Sequence, residues 1–226
     1  MNTILITGAG RGIGYELAKQ AVDRGWNVIG SVRTVEAQRE LAQKIPQMAV
    51  LNFDVTDFAA IEKITGAFHA PIDILVNCVG IKEQKTGVTI ETIDTDDLAH
   101  VFHTNVIAPL KLVQTFLPLL KESDFPRIVN ISSRLGCSWH ASEFIFSYKT
   151  TKAALNKLTQ LMALDLGKQG ITSIAMHPGW VRTDMGGDTA DISPKESAFG
   201  ILNVIAQLQR EDNGSFINYD GERWEW

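Results

Sequence analysis

The segment Thr3-Ile4-Leu5-Ile6-Thr7 runs without a break into Gly8-Ala9-Gly10-Arg11-Gly12-Ile13-Gly14, and apolar residues then recur at helical spacing at Ile13, Leu17, Ala18, Ala21 and Val22. A strand that passes through a glycine turn into a helix opens a βαβ unit, which commits the following chain to a parallel sheet with right-handed crossovers. Glycine lets the backbone turn tightly and approach a pyrophosphate, whose charge is favoured by the free N–H groups and dipole at the helix start. Gly8, Gly10, Arg11, Gly12, Ile13 and Gly14 therefore read as a dinucleotide-binding loop.

The rest of the chain keeps that rhythm. Short apolar runs recur at Asn27–Ile29, Ala49–Leu51, Ile74–Val76, Ile128–Ile131, Ile171–Met176 and Ser215–Ile217, each a buried strand by pattern. Helical stretches lie between them, such as Ala153, Leu155, Leu158, Leu161, Met162 and Leu166, with Gly25 and Gly170 where helix C-caps belong. The expectation is an α/β chain: a doubly wound Rossmann fold whose parallel sheet of about seven strands is covered by helices on both faces. No repeat, linker or like-charge block divides it, so residues 1–226 read as one dinucleotide-binding and catalytic domain. The polar segments Ile81–Asp97 and Arg182–Lys195 follow strands at the sheet's carboxyl edge, where such folds bind ligands.

Composition narrows the partners. With 21 basic against 26 acidic side chains and a formal charge of −5, the chain lacks a field for nucleic acid or an acidic membrane. Cys78 and Cys137 make no disulfide framework and no metal-type pair, and the start lacks the basic and apolar regions of a secretory leader. The expectation is a cytoplasmic, unprocessed protein with no bound metal.

Cofactor choice is read at the tip of the second strand. An acid there binds an adenosine ribose, whereas an Arg accommodates a 2′-phosphate. The tip is Gly30-Ser31-Val32-Arg33-Thr34, and Arg33 with Arg11 points to NADP(H). Asp54 and Val55 after the third strand border an adenine position, with Thr56 available as a helix cap. Asn77, Cys78 and Gly80 after the fourth bring backbone toward the ligand.

Tyr148 and Lys152 stand four apart on a helix opened by Ser147, on one face. A neighbouring ammonium draws a phenol's pKa down from ~10 toward working pH. Spacing alone leaves a surface pair as the commoner explanation.

The ordered series of motifs changes that balance. Thr7-Gly8-x-x-x-Gly12-x-Gly14, Asn77-Cys78-Val79-Gly80, Thr104-Asn105-x-x-x-Pro109, Asn130-Ile131-Ser132-Ser133-x-x-Gly136, Tyr148-x-x-x-Lys152 and Pro178-Gly179-Trp180-Val181-Arg182-Thr183 together resemble the short-chain dehydrogenase/reductase family. Within it, Trp180 and Thr183-Asp184-Met185-Gly186-Gly187 are similar to sniffer-type carbonyl reductases and C-factor-type signalling proteins. The resemblance implies a tetrad of Asn105, Ser133, Tyr148 and Lys152. Tyr148 protonates a carbonyl oxygen, Ser133 holds it, Lys152 binds nicotinamide ribose and tunes Tyr148, and Asn105 anchors a relay water. It adds Pro178, Gly179, Val181 and Thr183 to the cofactor contacts, and a homodimer or homotetramer built on the helices of 105–120 and 148–167. Cys78 and Val79 depart from the usual Asn-Asn-Ala-Gly, in a loop that mainly offers backbone. Ser132 remains an alternative to Ser133, because one residue along a strand turns the other side chain to the site.

The function so implied is NADPH-dependent reduction of an aldehyde, ketone or quinone. The alternative is an NADP(H)-binding signalling or scaffold protein without essential turnover. Val79, Trp139, Phe144 and Trp180 are the apolar candidates for the substrate cleft, and Arg182–Ser193, rich in small polar residues, reads as a lid. His100 and His103 read as surface or packing residues, and His177 as structural. Trp224 and Trp226 cover either their own fold or a second subunit.

Overall fold

The apolar runs become strands of one sheet in the computed structural model, which describes residues 2–66, 70–83, 87–140 and 145–226. In chain order the elements are β1 (Thr3–Ile6), α1 (Gly12–Asp23), β2 (Asn27–Val32), α2 (Val35–Lys44), β3 (Ala49–Asn52), α3 (Phe58–Thr65), β4 (Ile74–Asn77), α4 (Thr95–Phe102), α5 (Ala108–Leu120), β5 (Arg127–Ile131), α6 (Phe146–Leu166), β6 (Thr172–His177), α7 (Pro194–Gln207), β7 (Phe216–Asn218) and β8 (Arg223–Trp224). The sheet order is β3-β2-β1-β4-β5-β6-β7-β8. All pairs are parallel except β7 with β8, which the sequence did not announce because two residues carry no alternation.

Two apolar layers hold the sheet. Ile4, Ile6, Val76, Val129, Ile174 and Met176 pack under α1, α2 and α7, while Leu5, Leu75 and Ile128 pack under α3, α5 and α6. Alternate residues of each strand thus serve opposite faces, as a doubly covered sheet requires. Gly25 and Gly170 take positive φ at helix ends, as their positions predict.

Helix starts divide into two kinds. Thr34, Asp57, Asp94 and Ser193 cap α2, α3, α4 and α7 with their side chains. Asp57, not Thr56, is the α3 cap: Thr56 instead donates both its N–H and its hydroxyl to Asp54. α1 and α6 have no local side-chain cap, and both border the site described next.

A π-helical turn, His103–Ile107, joins α4 to α5. Among the described residues no helix is long and apolar enough to cross a membrane.

Candidate active site

The strand order reverses between β1 and β4, and the carboxyl ends there frame a cavity of about 140 Å³. Gly8 follows β1, Ser31, Val32 and Arg33 end β2, Phe53 to Thr56 follow β3, and Val79 and Ile81 follow β4; all line it. Gly8 and Gly12 have φ of 73° and 56°, the left-handed region open to glycine. A Cβ on Gly14 would lie 2.3 Å from the Gly8 carbonyl oxygen, so the loop folds back on the helix start as no other residue permits. Arg11, at the α1 N-cap, is extended and offers no side-chain cap, which leaves the first N–H groups of α1 to another acceptor.

Arg33 lines this cavity, but Arg11 does not join it. Arg11 pairs with Asp184 across the loop, both largely exposed, so one of the two expected cations is turned toward the segment after β6. Ile13 packs into the core layer under α1. Burial pushes the Asp54 carboxyl up, but hydrogen bonds from Thr56 and the charges of Arg33 and His100 outweigh it and hold the group below its ordinary range. Val55 is buried beside it.

Asn77 leaves its backbone, and not its side chain, to a cofactor. Its side chain is turned into the core, where Nδ2 donates to Asn130 at 2.8 Å, and Asn130 in turn donates to Thr159 at 2.9 Å. Thr7 organises the next turn, accepting from Cys78 N–H at 3.0 Å. Burial raises the Cys78 thiol to about 12.

The second half of the site is built on α6. Tyr148 and Lys152 share one face, with the Lys152 ammonium 5.5 Å from the Tyr148 ring centre. The Ser133 hydroxyl favours the ionised form of the Tyr148 phenol, whereas Ser132 is turned away to Asn156 and the Lys152 carbonyl, so the serine that acts on the phenol is the second. Close packing fixes this: a Cβ at Gly136 would stand 2.5 Å from the Lys152 carbonyl carbon. Asn105 lies in the π-helical turn, fully buried, its amide donating to Ile81 O at 2.8 Å and Thr151 Oγ1 at 3.0 Å and accepting from Ile81 N–H at 2.9 Å. Gly80 sits where these side chains meet, since its Cβ would be 3.4 Å from Lys152 Nζ and 3.6 Å from Asn105 Oδ1.

Ionisation differs from the sequence expectation. Burial raises the Tyr148 phenol to about 12, only partly offset by Ser133, and burial lowers Lys152 to about 8. The ammonium donates to Ile131 O at 2.8 Å and does not draw the phenol down. Desolvation outweighs the neighbouring charge, so Tyr148 is a phenol that keeps its proton at neutral pH.

The segment after β6 is less like a free lid than its composition suggests. Arg182 donates to the carbonyls of Ala190 and Asp191 at 2.8 and 2.9 Å, Val181 bridges to Ile192, and Trp180 donates to Gly186 O at 3.0 Å. Thr183 meets the glycine loop, its methyl 3.4 Å from a Cβ on Gly12. Pro178 O accepts from Ser197, and Gly179 has φ 85°.

Of the apolar candidates, Val79 lines the cavity, and Trp180 is partly exposed above the 181–186 turn. Trp139 instead donates to Glu225 O and meets Trp224 edge-on, and Phe144 lies outside the described residues. Trp224 and Trp226 pack on their own fold against Phe216. His177 is buried under Trp224, and burial, Arg134 and His140, against Asp220, lower its imidazole to about 3. His103 stacks on Phe58, but His100 lines the cavity, a residue its helical position alone did not single out. Glu83 was also missed: its carboxylate accepts the Tyr148 N–H at 3.1 Å from 65 residues away.

Known proteins share this arrangement of strands and motifs. The family model described as short chain dehydrogenase matches residues 2–192. C-signal of Myxococcus xanthus is 32% identical over 72% of this chain and 97% of its own, and short-chain dehydrogenase srdF of Neurospora crassa is 33% identical over 99% and 97%. The carbonyl reductase Sniffer of D. melanogaster superposes with a TM-score of 0.93 at 31% identity over the whole of both chains. An NADPH-bound carbonyl reductase from chicken fatty liver gives 0.90 at 33% identity, covering 100% of this chain and 99% of that one. With the glycine loop, the Ser133, Tyr148 and Lys152 cluster and a family match over most of its length, the chain belongs to the short-chain dehydrogenase family.

Proposed function

We propose that this protein is an NADP(H)-dependent oxidoreductase that reduces the carbonyl of an aldehyde, ketone or quinone. The observation that carries the reading is the Lys152 ammonium 5.5 Å from the Tyr148 ring centre on one face of α6, with Ser133 acting on the phenol, at the same sheet edge as the glycine loop. A site kept only for scaffolding has no need of a desolvated phenol and ammonium side by side, so this arrangement favours turnover over the signalling alternative.

The residues present fit the cofactor. The free N–H groups of α1 and the close approach at Gly8, Gly12 and Gly14 suit a pyrophosphate, and Arg33, unopposed by an acid at the β2 tip, suits a 2′-phosphate. Asp54 and Val55 would border the adenine, and Gly80, Pro178, Gly179, Val181 and Thr183 would line the nicotinamide half, with Cys78 and the Asn77 backbone beneath. The structures of similar carbonyl reductases include one described as NADPH-bound, at 33% identity. When bound, NADPH supplies the hydride.

This chain's own part is proton supply and orientation. Tyr148 gives its phenolic proton to the carbonyl oxygen as charge develops there, and Ser133 holds that oxygen through its hydroxyl. Lys152, fixed by Ile131, would hold ribose hydroxyls and stabilise the phenolate left behind. Asn105 fixes the β4 loop through Ile81 and would anchor the water that returns a proton. The apolar wall at Val79 favours an uncharged carbonyl compound. Exposed Ile107 at the end of the π-helical turn and Leu161 and Leu164 on α6 support association of copies through this side of the fold, and the composition supports a cytoplasmic setting.

The test is NADPH oxidation over a panel of aromatic aldehydes, diketones and quinones. Tyr148→Phe should lower turnover by at least ~10²-fold, the range for loss of a general acid, with NADPH affinity nearly unchanged. If no compound is reduced, or if the variant keeps most of its activity, the reading is wrong.

A further inference from the structure

We infer that Glu83 is a positioning residue that sets the start of α6, and through it the phenol of Tyr148. The inference rests on the reductase reading above and adds a residue to it.

α6 starts without a side-chain cap from its own entry residue. Its entry residue is Ile145, at φ 59° and ψ 50°, a β-branched side chain in the left-handed region with no atom able to cap a helix. Such a residue is strained there and persists only when surrounding contacts hold it. The first intrahelical bond runs from Lys149 N–H to Ile145 O, so the Tyr148 N–H belongs to the opening turn and has no partner within the helix. Other helices of this protein meet that need with a nearby Thr, Asp or Ser. Here the acceptor is Glu83, from the loop after β4, at 3.1 Å. A carboxylate on a helix N-terminus is also favoured by the dipole.

Glu83 is 7% exposed, an uncommon place for a carboxylate, and its Oε1 has no hydrogen-bond partner among the described residues. Burying a charged oxygen without a donor is costly, so a purely structural loop gains little from Glu at this position. Residues 81–83 of this loop each bond a different element. Ile81 is bonded on both N–H and O by Asn105, Lys82 donates to Met185 O at 2.9 Å in the segment after β6, and Glu83 holds α6. Three consecutive residues thus tie the π-helical turn, the segment after β6 and the start of α6 together. Removal of the Glu83 acceptor frees the first turn of α6, and Tyr148 stands in that turn. Small displacements of a proton donor lower turnover without affecting distant cofactor contacts.

The experiment compares Glu83→Leu, which fills space without an acceptor, with Glu83→Gln, which keeps an amide oxygen. Three quantities are read: kcat and KM for the best carbonyl of the panel, NADPH affinity by fluorescence, and exchange of the Tyr148 amide proton by NMR. For Glu83→Leu we expect Tyr148 amide exchange at least tenfold faster and kcat at least tenfold lower, with KM and NADPH affinity within twofold. Glu83→Gln should restore both toward the parent. Should the Leu variant not fold, Glu83→Ala replaces it with the same expectations. The inference is overturned if amide exchange or kcat stays within twofold of the parent, if NADPH affinity falls in step with kcat, or if Gln is no better than Leu. A parent protein that turns over no carbonyl overturns the reductase reading and this inference with it, and is told apart from failure of Glu83 alone because the parent itself is then inactive.

Discussion

Replacing Lys152 by Met should reveal how much stability the site gives up to keep an ammonium in its floor. Lys152 is 3% exposed, and burial lowers its pKa from 10.5 to about 8. A base whose folded pKa lies below its unfolded value binds fewer protons when folded, so it destabilises the fold below the folded pKa, and the penalty disappears as pH rises toward the unfolded value. The shift corresponds to a penalty of about 3 kcal/mol at neutral pH, of which about 2 kcal/mol is relieved between pH 7.5 and 9.5. The two cysteines act in the opposite sense, because burial raises Cys78 to about 12 and Cys137 to about 11, so total stability against pH would mix the contributions. The informative quantity is therefore the difference between the parent and Lys152→Met. Urea unfolding of both, followed by tryptophan fluorescence and circular dichroism at pH 7.5, 8.5 and 9.5, gives it directly. The parent should gain on the variant by about 2 kcal/mol across that range. A difference that moves by less than ~0.5 kcal/mol would show that the ammonium is solvated in the folded protein, and the desolvation argument for the site would be lost.

Other expectations are as specific. Arg33→Ala should narrow the preference for NADPH over NADH by about tenfold or more, the range for a charged hydrogen bond, and equal affinities in the parent protein would refute the assignment. Gly14→Ala should lower stability by about 1–3 kcal/mol through the clash with Gly8 O, seen as a drop in Tm; an increase, the usual result of Gly→Ala inside a helix, would mean that the loop has room. His177, lowered to about 3, must gain a proton as the chain unfolds in acid, so stability should fall by about 1–2 kcal/mol from pH 6.5 to 5, and His177→Asn should flatten that slope.

The sequence carried the sheet well, because each parallel strand buried on both faces must be a continuous apolar run. β8 escaped since Arg223–Trp224 depends on pairing with β7, not on its own pattern. The site was legible where backbone geometry demands a residue type, as at Gly8 and Gly14, and where two functional groups share a helix face, as at Tyr148 and Lys152. It was illegible where a side chain acts across the fold. Glu83 reaching α6, Asp184 taking Arg11 and His100 lining the cavity depend on segments brought together only by folding. Electrostatics failed for the same reason: spacing brought Lys152 to Tyr148 but said nothing of the depth at which both lie, and depth decided the ionisation.

The turn at His103–Ile107 gives the long helical segment from Thr95 to Leu120 a change of phase. A π-turn holds one residue more than an α-turn, so everything after it is rotated by about a third of a revolution relative to an uninterrupted helix. Upstream of that offset Val101 faces the interior; downstream Leu112, Val113 and Phe116 do so. Deleting a single residue there would restore regular winding and leave the apolar stripe of α5 on the sheet, because the rotation that the turn introduces is the one that compensates for its additional residue. The extra residue that lets Asn105 reach Ile81 and Thr151 is therefore one that the packing of α5 does not need: its loss would fall on the site, while the second half of the segment kept its register with the core.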